Sequence, residues 1–69
     1  MTPEIKSAAE ATRIATTFLK QYYNFLRPVS AVKENGNWKV RVDVGIVTSK
    51  IAKLEVNAST GDVTEYSLP

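Results

Sequence analysis

The stretch Asn35-Gly36-Asn37-Trp38-Lys39-Val40-Arg41-Val42-Asp43-Val44 decides the fold of this 69-residue chain. Asn-Gly is a strong hairpin signal, because both central residues of a type I′ turn take positive φ. After it, Trp38, Val40, Val42 and Val44 alternate with Lys39, Arg41 and Asp43. A period of two with one apolar side describes a strand with one buried and one wet face. The hairpin requires a preceding arm, and Val29 to Glu34 supplies it, with Val29 and Ala31 on one face and Val32 on the other.

Beyond Val44 the alternation stops at Gly45. Ile46-Val47-Thr48-Ser49 reads either as a continuation of the strand or as a partly apolar loop. Ala52, Leu54 and Val56 then alternate with Lys53, Glu55 and Asn57, and Asn57 to Asp62 has turn composition. Val63 to Leu68 makes a last short strand. The expected strands are 29–34, 38–45, 51–57 and 63–68.

Before Pro28 the period is that of a helix. Ala8, Ala11, Ile14 or Ala15, Phe18 or Leu19, Tyr22, and Phe25 or Leu26 recur every three or four residues. Thr2-Pro3-Glu4 reads as its start, a hydroxyl N-cap followed by proline at the first helical position. Pro28 disfavours helical angles at Arg27. The expectation is a helix over 3–26, roughly 34 Å long. The whole chain therefore reads as one α+β domain: a long N-terminal helix packed on a three- to four-stranded antiparallel meander, in two layers. Trp38, Val42 and Leu54, facing Ile14, Phe18 and Tyr22, are the expected core.

Composition excludes more than it proposes. The chain has no cysteine and no histidine, which removes disulfides, thiolate nucleophiles, CxxC zinc sites and the commonest general base. The carboxylates Glu4, Glu10, Glu34, Asp43, Glu55, Asp62 and Glu65 fall on polar faces or in turns, and no phosphate-binding glycine loop is present. The expectation is a non-enzymatic chain with no metal and no cofactor. The 57–62 turn superficially resembles a calcium loop, but it lacks the acidic density and the distal glutamate. No apolar run reaches the 18 or so residues of a bilayer span, and the first residues lack signal-peptide character, so a cytoplasmic location is expected.

Nine basic residues stand against seven acidic ones. The surplus falls before Pro28, where Lys6, Arg13, Lys20 and Arg27 face only Glu4 and Glu10. These four cations, seven residues apart, would form a line along the helix that suits phosphates or an acidic partner, or simply a solvated face. On that balance nucleic acid is an unlikely partner. A second candidate surface is the wet sheet face, with Lys39, Arg41 and Lys53 beside Asp43 and Glu55. Cross-strand pairing of opposite charges accounts for it without a ligand, and docking of a partner is the functional alternative. Among the aromatics, Tyr23 or Phe25 is expected to be partly exposed.

The second half of the chain also carries a family likeness. Gly36-Asn37-Trp38-Lys39-Val40-Arg41-Val42, followed by Val56, Ala58, Thr60, Gly61 and Val63 in the pattern V-x-A-x-T-G-x-V, resembles the PepSY domain family. That resemblance implies a cystatin-like α+β fold and a role in protein interaction, often inhibitory toward an attached peptidase. It implies no catalytic residue. Trp38, Val40, Val42, Asp43 and Val44, with Glu55, Val56, Gly61 and Tyr66, are similar to a pattern in gas-vesicle accessory proteins of the O type, which implies an assembly role. Either way the expected partner is another protein or a second copy of the chain.

Overall fold

Ser7 marks the point where the backbone turns helical. Its φ of −131° and ψ of 153° are extended, and its Oγ accepts a 3.2 Å hydrogen bond from the backbone N–H of Glu10. That satisfies one of the N–H groups a helix leaves orphaned, with Glu10 in the first turn where the dipole favours an acid. A computed structural model describes residues 7–69, and in it α1 runs from Ala8 to Leu19. The Thr2-Pro3-Glu4 start lies outside the described residues. The expected 3–26 helix is thus corrected to 12 residues, about 18 Å long.

The early C-terminus has a local cause. The amides of Tyr22 and Tyr23 both bond the Leu19 carbonyl, at 2.9 Å each, which closes the last turn. The residues that follow, Gln21 to Phe25, are mostly aromatic or Asn and have low helix propensity. The chain needs them to swing round and enter the sheet at Arg27.

Four strands follow: β1 (Arg27–Glu34), β2 (Asn37–Asp43), β3 (Ile51–Asn57) and β4 (Val63–Ser67). They pair antiparallel in the order β1-β2-β3-β4, an open meander. The hairpin is as expected, with φ of 51° at Asn35 and 79° at Gly36. Relative to expectation, β1 begins two residues earlier, β4 ends at Ser67, and β2 stops at Asp43 instead of 45. Val44 to Lys50 is a loop, which resolves the ambiguity of Ile46-Val47. Both edge strands are irregular: Val29 is the extra residue between the Pro28–Val42 and Ser30–Arg41 pairs, and Thr64 is the extra residue between Val63 and Glu65.

The helix lies against one face of the sheet. Trp38, Val40 and Val42 pair with Val56, Leu54 and Ala52, and all six are buried beneath it. From the helix, Ala11, Ala15 and Leu19 are fully buried, so small side chains bring the helix close to the strands. Ile14 and Phe18 are partly buried against this cluster. Tyr22, expected in the core, is corrected to 52% exposed, because the helix ends before it. Its ring instead leans on Phe18 (centroids 5.8 Å apart), which in turn meets Tyr66 of β4 at 5.0 Å. Among the described residues no helix is long and apolar enough to cross a membrane.

Leu54 sits centrally between Val40 and Tyr66 and is 2% exposed. Replacing it by alanine should cost about 2–5 kcal/mol, a large part of the stability of so small a domain. Val32→Ala, on the helix-free face, should change it by less than about 0.5 kcal/mol. Urea unfolding of both variants checks this, and equal losses would contradict the assigned faces.

Candidate functional surfaces

The strand register writes the helix-free face as rows. Val32, Lys39, Glu55 and Glu65 lie side by side across the four strands, and the next row is Ser30, Arg41, Lys53 and Ser67. Lys39, Arg41 and Lys53 are therefore brought together on one exposed face, as the alternation implied. Lys39 sits opposite Glu55, and its Nζ donates to Oε1 of Glu34 at 3.2 Å.

Opposite-charge pairing accounts for Lys39 but not for the rest of this face. Arg41 lies directly opposite Lys53, and Glu55 directly opposite Glu65. Like charges facing each other across a sheet are destabilising. The carboxyl of Glu55 feels it: a hydrogen bond shared with Glu65, partial desolvation and repulsion from Glu65 raise its pKa above the ordinary value. Among the described residues, neither Arg41 nor Lys53 is in an ion pair. A shallow groove of about 330 Å³ crosses this face, with Lys39, Arg41, Lys53, Glu55, Glu65 and Ser67 in its lining.

The helix stripe does not assemble. Lys6 lies outside the described residues. Arg13 is exposed on α1, and Lys20 is the residue that caps its C-terminus. Arg27 is corrected from the helix to the first position of β1, because the helix ends eight residues before it.

Arg27 belongs to a different constellation. Its Nη2 donates to Oδ2 of Asp43 at 2.8 Å. Asp43, expected on the wet face, is buried at 1% exposure. It lies where β2 ends, and the Val44–Lys50 loop folds back over it. Oδ1 accepts from the backbone amides of Gly45 (3.0 Å) and Lys50 (3.1 Å), and Oδ2 accepts from the Ser49 hydroxyl at 3.0 Å. Hydrogen bonds to the ionised form favour it. The Gly45 and Lys50 amides, helped by Ser49 and Arg27 and opposed by desolvation, lower the pKa of Asp43 from 3.8 to about 2.

One backbone bond, Val44 N–H to the Lys50 carbonyl at 2.9 Å, closes the neck of the loop. A Cβ at Gly45 would run into the Thr48 carbonyl oxygen, so the loop is packed tightly on itself. At its tip Ile46 and Val47 are 80% and 94% exposed. The sequence signal for this arrangement is the break in alternation itself: an Asp followed by Gly and Ser is loop-anchoring chemistry. Among the described residues, no group of three or more carboxylates converges on a point that could hold a metal ion.

The Asp43 cage predicts a specific acid response. Its folded pKa is depressed, so the stabilisation is present above the ordinary value of 3.8 and is lost as pH falls through about 2. Glu55 acts in the opposite sense: its raised pKa weakens the fold as pH rises through and above 4.5. Thermal melts between pH 2 and 7 should show the fall below about pH 4 in the native chain and a flatter profile in Asp43→Asn, which is less stable at neutral pH. Superimposable profiles would contradict the cage.

Set against protein-family models, curated proteins and solved structures, the chain matches none.

Proposed function

We propose that this chain is a small, non-enzymatic protein-interaction domain, PepSY-like in kind, that docks a partner protein on its helix-free sheet face. The observation that carries the reading is the Arg41–Lys53 pair. Two like charges are held directly opposite one another, without an ion pair among the described residues, beside an open groove. A partner that brings carboxylates to this row relieves the repulsion on binding, so the pair favours the complex over the free domain.

The geometry favours face docking over strand addition. Pro28 and the Val29 bulge interrupt one sheet edge, and the Thr64 bulge interrupts the other, devices that discourage pairing with another chain. The basic helix stripe gives nucleic-acid binding little support, since Arg27 stands on β1 and is engaged by Asp43 of β2. The order of elements and the Val56-x-Ala58-x-Thr60-Gly61-x-Val63 turn are what support the PepSY-like reading over a purely structural one.

The test is charge reversal. A partner crosslinked to the intact chain should be lost when Arg41→Glu and Lys53→Glu are combined, while the double variant melts at a temperature close to that of the native chain. Undiminished crosslinking of the same partner to the folded double variant would overturn the proposal.

A further inference from the structure

The helix-free face carries both signs of charge, and it carries them in pairs. Arg41 and Lys53 stand side by side on β2 and β3. Glu55 and Glu65 stand side by side on β3 and β4, in the next row. Lys39 is paired with Glu34 at 3.2 Å, and Arg27 with Asp43 at 2.8 Å. Among the described residues of this face, the cation pair and the carboxylate pair are therefore left over, and they balance. Pro69 lines a separate groove beside the Val44–Lys50 loop.

That pattern selects its occupant. An acidic segment laid on Arg41 and Lys53 would also lie about 7 Å from Glu55 and Glu65, within a Debye length, and repel them. A basic segment has the reverse difficulty. Relief of both pairs needs a partner with a cation pair and a carboxylate pair offset by one row and one strand. The chain's own face has that arrangement. Rows lie about 6.8 Å apart and strands about 4.8 Å, so the midpoints of the two pairs are separated by roughly 8 Å. A two-fold axis in the interface plane, crossing that line at its centre and perpendicular to it, sets each cation pair over the other copy's carboxylate pair. With these spacings the axis runs along the diagonal from Lys39 to Ser67. There Lys39, already paired with Glu34, meets its counterpart, and Ser67 meets its own. An axis parallel to the strands would instead oppose each row to itself.

We propose that the helix-free face recognises a second copy of this chain, with Arg41 and Lys53 of each copy against Glu55 and Glu65 of the other. The inference rests on the reading of this face as a docking surface and names the partner. Four strands of about seven residues span roughly 19 by 24 Å, so the two copies bury on the order of 800 Å² in total. Stable complexes bury about 1,200 Å² or more, so this pair is transient and weakened by salt.

Sedimentation of the native chain at low salt, from micromolar to millimolar concentration, should show reversible monomer–dimer association. Combined Arg41→Glu and Lys53→Glu should weaken it about tenfold or more, as should combined Glu55→Lys and Glu65→Lys. An equimolar mixture of the two variants should associate again, because the acidic face of one meets the basic face of the other. That recovery also shows that both are folded. The chain has no cysteine, so Ser67→Cys reports on the axis by itself. A short bismaleimide should join two copies of it, and should not join two copies of Thr17→Cys, on the exposed side of α1. A native chain that stays monomeric at millimolar concentration would overturn the inference. If another protein, or a glutamate-rich peptide, still binds that monomer through Arg41 and Lys53, the docking face stands and its occupant is different. Association that survives both pair reversals, or no association in a mixture of the two folded variants, would overturn it as well.

Discussion

A single buried carboxylate, Asp43, joins three parts of this small domain. It ends β2, receives the guanidinium that begins β1, and gathers the Gly45 and Lys50 amides and the Ser49 hydroxyl of the loop that leads to β3. Removing a charge from water is costly unless hydrogen bonds replace the lost hydration. Here four donors do so, and every one of them depends on the chain path around it. The start of β1 at Arg27 and the compact Val44–Lys50 loop are both consistent with satisfying this group. The apolar tip at Ile46-Val47 is presented to solvent because the base of its loop is fixed.

The two faces of the sheet contribute to stability in opposite senses. The inner face is nearly all valine, leucine, alanine and tryptophan, and the buried Ala11 and Ala15 of α1 let a short helix cover it. The helix-free face carries like charges opposite each other at Arg41–Lys53 and Glu55–Glu65, an arrangement that weakens the free domain. A sheet shaped by stability alone would place these charges in alternation across the strands. The raised pKa of Glu55 is the local trace of that conflict.

Periodicity made the architecture legible. The valines at 40 and 42 and the Asn35-Gly36 turn placed the hairpin, and the Ala52-Leu54-Val56 alternation placed its neighbour. The α+β meander followed from their order. The boundaries were less legible because competing local signals exist. Ser7-x-x-Glu10 has the spacing of a capping box, yet Thr2-Pro3 reads as an equally good start, and the apolar stripe continues through Tyr22 and Phe25 although the helix does not. A stripe measures which residues would share a face if the helix continued; it does not record where the last turn closes. The exposed cations Lys39, Arg41 and Lys53 were legible from alternation alone. Their neighbours were not, since register depends on where bulges fall, and the bulges at Val29 and Thr64 have no distinctive sequence mark. Asp43 was misplaced for a related reason: alternation assigned it to water, but the loop that follows folds back and closes over it.

The Asp43 carboxylate holds the Val44–Lys50 loop in one conformation. Amide hydrogen exchange at Gly45 and Lys50 tests it most directly. Both residues lie in a solvent-facing segment, and both donate their N–H to Asp43 at 3.0 and 3.1 Å. Exchange slowed to near the rate of the β2 and β3 core amides is the predicted result. Exchange of these two amides as fast as that of an unstructured chain would contradict it.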